Sequence, residues 1–181
     1  MIVVILAGGQ GRRHGGNKAL APWNETTLIG AVVARLAPQA QRLAINARAD
    51  LARPLSDFGL PILIDDADFS DLGPLSGVRT AMKWASAAGD GHVITVPCDM
   101  PDLPLDMAAQ LAAADEADIV HFSGARDHAL CARWRVSLLP ALEEALTQAD
   151  GGLAVMRFVS QQQVIKLPTG DDDAFANINS L

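Results

Sequence analysis

Positive charge is in short supply in this 181-residue chain: 14 lysines and arginines stand against 21 aspartates and glutamates, a formal net charge of −7 at pH 7. Nucleic acids and anionic membranes are bound through basic faces, so a general role on either is excluded. Cysteine is scarcer still. Cys98 and Cys131 are far apart and support neither a disulfide framework nor a zinc cluster, and their scarcity fits a reducing compartment. No apolar run reaches the roughly 18 residues of a membrane span. Met1 leads straight into apolar residues, without the basic start or cleavage site of a secretory leader. The chain is therefore expected in the cytoplasm. Internal repeats, low-complexity tracts and linkers are also missing. Half the residues are apolar, which excludes a disordered chain, and the length suits one domain, residues 1–181, with a sizeable core.

What the chain does have is concentrated at its front. Residues 1–5 are apolar and rich in β-branched types, and read as a buried first strand. Residues 6–18, LAGGQGRRHGGNK, contain five glycines together with Arg12, Arg13 and Lys18. Glycine lets a ligand approach the backbone closely, and exposed N–H groups with fixed positive charge after a first strand make a phosphate cradle. A plain turn with solvated arginines would need only about 2–6 residues. The loop is not a Walker loop, because Lys18 precedes Ala19 rather than a hydroxyl residue. Nor is it a dinucleotide fingerprint: Gly9 and Gly11 are spaced correctly, but His14 takes the third glycine position. A triphosphate-sized loop of another kind remains, with two guanidinium forks and one mobile ammonium.

Further along, strands are expected at residues 42–46, 61–64, 92–96, 118–122, 129–134 and 164–167. Helices are expected from Thr26 or Thr27 to about 37, and over 51–58, 74–88, 103–114, 135–148 and 153–159. This alternation predicts an α/β fold, a Rossmann-like, mostly parallel sheet with helices on both faces. Ligands bind such sheets beyond the carboxyl ends of the strands. That rule gathers the glycine loop, Asn46, Asp65 and Asp66, and Asp99, while Asp68 and Asp71 read as solvated.

Each of these residues has a plain reading beside a functional one. Asp99, in the rigid turn Pro97-Cys98-Asp99-Met100-Pro101, is either a turn or capping residue or a carboxylate that shares Mg²⁺ with triphosphate oxygens. Its place beside a phosphate loop favours the second. Asp66 is either solvated or accepts hydrogen bonds from a base or a ribose. Asn46, with donor and acceptor together, reads a base edge or simply ends a strand. Asn177 and Asn179 join a metal site, orient a second substrate or are turn residues. Arg126 and His128, with Arg133 and Arg135 near them, form a patch for an anionic second substrate, or His128 merely satisfies a turn. Cys98 has no catalytic partner in the pattern and reads as buried and inert.

Taken together, these residues resemble the molybdenum cofactor guanylyltransferases, within the wider group of nucleotide-diphospho-sugar transferase type nucleotidyltransferases. The resemblance is carried by Leu6-Ala7-Gly8-Gly9, Arg12-Arg13, Gly15-Gly16, Lys18, Asn46 in INAR, and Asp66 ahead of Gly73-Pro74-Leu75-Ser76-Gly77. Pro97-Cys98-Asp99, Arg126-Asp127-His128 and Phe175-Ala176-Asn177-Ile178-Asn179 complete it, so it spans nearly the whole chain. It implies transfer of GMP from GTP to molybdopterin, giving the guanine dinucleotide cofactor and pyrophosphate. It implies GTP held by Leu6, Ala7, Gly8, Gly9, Lys18, Asn46, Asp66 and Asp99, and Mg²⁺ on Asp99. Arg12, Arg13, Lys18 and Asp99 would carry catalysis, and Arg126, His128, Asn177 and Asn179 the second substrate. Transient contacts with other cofactor-biosynthesis proteins or acceptor molybdoenzymes would follow. Four departures from the family pattern stand out: one residue fewer between Gly16 and Lys18, Asn17 for the usual aspartate, His14 for methionine, and no Thr-Pro after Asn179. Competing readings are a cytidylyltransferase or sugar-phosphate nucleotidyltransferase of the same fold, and a catalytically silent nucleotide-binding module.

Overall fold

A computed structural model describes residues 1–9, 18–114, 116–149 and 151–178. The strands are β1 (Ile2–Leu6), β2 (Pro22–Trp23), β3 (Thr26–Thr27), β4 (Arg42–Asn46), β5 (Ile62–Leu63), β6 (His92–Pro97), β7 (Ile119–Ser123), β8 (Asp127–Arg135) and β9 (Val164–Pro168). The α-helices are α1 (Leu28–Leu36), α2 (Ala52–Leu55), α3 (Pro74–Ala87), α4 (Met107–Ala113), α5 (Leu139–Gln148) and α6 (Val155–Val159). None is long and apolar enough to cross a membrane.

Seven strands form one sheet in the order β5-β4-β1-β6-β8-β7-β9. Strands β5, β4, β1 and β6 are mutually parallel, β8 runs against both β6 and β7, and β9 is parallel to β7. Both faces are covered, which is why β1 reads as an unbroken apolar run. Val3 and Ile5 point into one core with α1, α2 and α4, while Ile2 and Val4 point into the other with α3, α5 and α6. The mostly parallel, two-faced sheet expected from the sequence is thus the observed one.

Register is what builds the site. Leu6 pairs with Asn46 on one side and with Pro97 on the other, so β1, β4 and β6 end level. The Ala7 N–H donates to the Asn46 carbonyl at 2.8 Å, and the Cys98 N–H donates to the Leu6 carbonyl at 3.1 Å. The three segments that follow these strands therefore leave the sheet side by side.

The local elements follow from local chemistry. Thr27 caps α1, its hydroxyl accepting from the Gly30 N–H at 3.2 Å. The β2–β3 hairpin just ahead of it is absent from the sequence expectation; Asn24, at a φ of 49°, makes its tight turn. The short helix expected over 51–58, interrupted near Pro54, is the four-residue α2 between two single 3₁₀ turns; Pro54 has no N–H to continue the ladder from the first of them. Helix α4 begins at Met107, not 103. Gln39 reaches across to fix that start, its Oε1 accepting from the Ala108 N–H at 3.0 Å while its Nε2 donates to the Pro104 carbonyl at 3.1 Å.

Candidate active site

The level ends of β1, β4 and β6 open onto a cleft of about 820 Å³. Of the residues expected there, Leu6, Ala7, Gly8, Gly9, Lys18, Asn46, Asp99 and Asn177 line it. Arg12, Arg13 and Asn179 lie outside the described residues. Asp66, Arg126 and His128 do not line the cleft.

Lys18 opens a single 3₁₀ turn, Lys18–Leu20, whose Ala19 is buried in the core beside β1. That anchor sets the lysine despite the shortened loop before it. Its Nζ lies 2.6 Å from Asp99 Oδ2, with the two side chains 18 % and 14 % exposed. Asp99 follows β6 in the turn between Pro97 and Pro101, and its carbonyl accepts from the Ile178 N–H at 3.0 Å. The glycine-loop wall and the Asp99 carboxylate thus face a single cavity. Asn177 arrives beside them, and its Oδ1 is buried with no hydrogen-bond partner among the described residues. Cys98 also lines the cleft, but burial and the Asp99 charge push its thiol up to about 12, so it is inert there.

The opposite wall is the loop between β5 and α3. Asp65 lines the cleft, accepting from Asn46 Nδ2 at 2.8 Å and from Thr80 Oγ1 at 2.6 Å. Asn46 Nδ2 also donates to the Leu63 carbonyl at 3.2 Å, so its amide hydrogens are committed to this wall rather than turned to a base edge. The first turn of α3 comes close enough that a Cβ on Gly77 would fall 2.4 Å from Asn46 Oδ1. Asp66, one residue on, faces the other way. It accepts from Arg79 Nη1 at 2.8 Å and from Lys83, and these two cations hold its carboxyl below the usual range, Lys83 most strongly. Arg79, only 5 % exposed, also binds Glu143 of α5 at 2.8 Å and lies 3.7 Å above the Phe69 ring.

The expected patch for an anionic substrate is dispersed. His128 sits buried against Phe175, ring centroids 5.2 Å apart, because the register shift between β7 and β8 puts it on the Phe175 face, opposite to that of Ala132 and Trp134; burial lowers its pKa. Asp127 pairs with Lys166 at 2.9 Å, and Arg126 stands exposed on the β7–β8 turn. Buried Arg133 donates to the carbonyls of Ala114, which caps α4, and of Ala117, just before β7, and Arg135 lies 3.7 Å from Asp118. Sequence reasoning did not single out Arg48 or Asp71 as site residues, although both line the cleft. Arg48 stood within the INAR motif, where its forked pairing with Asp50 carried no signal of its own.

The model of the MobA-like NTP transferase domain matches residues 3–165. The molybdenum cofactor guanylyltransferase of Rhodobacter capsulatus is 40 % identical over 177 residues, covering 98 % of this chain and 89 % of that protein. Its counterpart in Cereibacter sphaeroides is also 40 % identical, over 98 % of this chain and 90 % of its own. Among solved structures, the molybdopterin-guanine dinucleotide biosynthesis protein A of Archaeoglobus fulgidus superposes with a TM-score of 0.82 at 22 % identity, over 99 % of this chain and 93 % of that one. An open α/β sheet with Gly8, Gly9, a lysine and a carboxylate meeting at its strand ends, matched over nearly its full length, places this chain in the MobA-like NTP transferase family, and it is a nucleotidyltransferase.

Proposed function

We propose that this nucleotidyltransferase is a molybdenum cofactor guanylyltransferase, which transfers GMP from GTP to the terminal phosphate of molybdopterin. The observation that carries the reading is the Lys18–Asp99 pair, held in a cleft walled by Gly8 and Gly9, in a chain 40 % identical to proteins of that name. An oxygen of the molybdopterin phosphate attacks the α-phosphorus in line. The bond from that phosphorus to the bridging oxygen breaks, and pyrophosphate leaves. No covalent intermediate on the chain is needed, so the residues act by positioning and by charge.

Each residue has a task in this scheme. The backbone of residues 7–9 receives phosphate oxygens, and Lys18 turns from Asp99 to the triphosphate as it enters. Arg12 and Arg13 belong to the same loop by sequence and are assigned to the same phosphates. Asn46 holds Asp65 on the far wall. Asp66 could reach a nucleotide only by giving up Arg79 and Lys83, so Asp65 is better placed to accept from a base or ribose. Asn177 stands at the junction of the two substrates.

The donors present suit Mg²⁺. Asp99 and the unpartnered Asn177 Oδ1 are hard oxygen ligands, and Mg²⁺ takes one or two such groups together with substrate phosphates. Among the described residues no group of three or more His, Cys, Asp or Glu could hold a metal without that help. Bound there, Mg²⁺ supplies neutralisation of the triphosphate charge. The reading fits a cytoplasmic biosynthetic enzyme.

The test is pyrophosphate release from GTP and molybdopterin. Asp99→Asn and Lys18→Ala should each lose on the order of 10²–10³ in rate. Near-normal turnover by either variant removes its assigned role. A thermal-shift series with GTP, CTP, ATP and UTP plus Mg²⁺ should show the largest rise with GTP; a larger rise with CTP would make the chain a cytidylyltransferase.

A further inference from the structure

The segment that follows β9 is tied down at an unusual number of points. At the start, the Thr169 N–H donates to the Ser123 carbonyl at 3.3 Å. Next, the two carboxylate oxygens of Asp172 take different partners: Oδ1 accepts from Thr169 Oγ1, and Oδ2 accepts from the Ala125 N–H at 2.9 Å. The carboxylate thus closes its own loop and pins that loop to the β7–β8 turn. Gly124 is what makes room, since a Cβ there would fall 1.7 Å from Asp172 Oδ1 and 2.4 Å from Thr169 Oγ1. Beyond the loop, the Phe175 N–H donates to the Asp172 carbonyl at 3.2 Å, and the Phe175 ring packs 4.6 Å from that of Phe122, fully buried. Two residues later Asn177 enters the cleft, and the Ile178 N–H closes on the Asp99 carbonyl.

We infer that Asp172, seated against Gly124, is a positioning residue that sets Asn177 beside Asp99. Phe175, buried against Phe122 and His128, fixes the depth of the segment, and the Ile178 N–H bond to the Asp99 carbonyl fixes its far end. The Asp172 carboxylate fixes the direction from which the chain departs. Two residues of backbone span at most about 7 Å, so the direction at Phe175 decides where the Asn177 side chain points. Asp172 itself is exposed and does not line the cleft, so its loss removes no core contact. The inference about catalysis rests on the guanylyltransferase reading; the mechanical part does not.

The experiment pairs Asp172→Ala with amide hydrogen exchange and with steady-state kinetics. Exchange across residues 172–178 should speed up about ten-fold, with peptides from β1 and β6 unchanged. Because misplacement by about 1 Å can cost 10²-fold and Phe175 retains part of the placement, kcat/KM should fall about ten-fold. Added to Asn177→Ala, Asp172→Ala should cost nothing further, since both act through one side chain. Asp172→Asn, which keeps one oxygen for the Ala125 N–H, should restore most of the protection and activity. Gly124→Ala, which wedges the loop from the other side, should reproduce Asp172→Ala. Unchanged exchange in Asp172→Ala overturns the clamp. Faster exchange with a loss of activity that adds fully to Asn177→Ala overturns the route through Asn177. A wild-type chain that transfers no nucleotide refutes the guanylyltransferase reading alone, and the exchange result then decides the clamp without it.

Discussion

Arg79 is the point where a substitution should reach furthest. It is nearly enclosed, its guanidinium donates to Asp66 and to Glu143, and its Cζ lies 3.7 Å from the centre of the Phe69 ring. Truncation to alanine leaves two carboxylates without their shared cation. Breaking a fully buried pair in this way costs about 3–5 kcal/mol. Here the partners are 48 % and 35 % exposed, so water can take over much of the arginine's role. The electrostatic part then falls to roughly 1–2 kcal/mol. Loss of the contact with Phe69 adds about 0.5–1 kcal/mol, for a total of about 1.5–3 kcal/mol. For a chain of this length that lowers Tm by about 5–10 °C.

Lysine should not rescue, because one ammonium cannot bridge two carboxylates and stack on a ring. The measurement is thermal unfolding of Arg79→Ala and Arg79→Lys across pH 3–7. Asp66 titrates below its ordinary 3.8 in the folded state, so its stabilising contribution is complete above that value and disappears as pH falls through the depressed pKa. Without Arg79 part of that acid dependence should vanish. A Tm within about 2 °C of wild type at neutral pH, with the acid limb unchanged, would refute the account of Arg79 as the buttress of the cleft wall.

Two further perturbations separate stability from site geometry. Gly77→Ala gains about 1 kcal/mol of helix propensity but drives a methyl into Asn46. Its Tm should move little while GTP affinity, read by calorimetry, drops about ten-fold as Asn46 and Asp65 are displaced; unaltered affinity would show that this wall does not touch the nucleotide. His128 is buried, so its folded pKa lies below 6.5 and stability should decline as pH is lowered from 7 toward 5. His128→Gln should flatten that decline in a Tm-against-pH series, and an identical slope would place the titrating group elsewhere.

Much of this molecule was legible before any coordinates. Strands buried on both faces are continuous apolar runs, so β1, β4 and β6 stood out and differ from expectation by a residue at most. Their parallel order then brings Lys18, Asn46 and Asp99 together, because level strand ends deliver their loops to one place. Parity was harder to read. Asp65 and Asp66 are chemically equal in the sequence, and only the pleat at the end of β5 turns one to the cleft and the other to Arg79. Parity also hid the structural task of Arg133, and the irregular β7–β8 register hid the side on which His128 is buried. Contacts between remote segments left no local mark at all. Gln39 capping α4 and Asp172 pinning the β7–β8 turn each join residues more than forty positions apart, and no periodicity announces them.

The antiparallel insertion of β8 between β6 and β7 has a consequence for how the molecule is made. Because β9 adds to the outer edge beyond β7, the polypeptide must return across two strand ends before it meets the turn after β6. A nascent chain that has emerged through β8 already possesses the central strands, the lysine and the carboxylate. It does not yet possess Asn177, which joins them at the cleft only with the last segment. Synthesis therefore delivers the lysine and the carboxylate before α5 and α6 cover their face of the sheet, and the cleft's last lining residue after both helices.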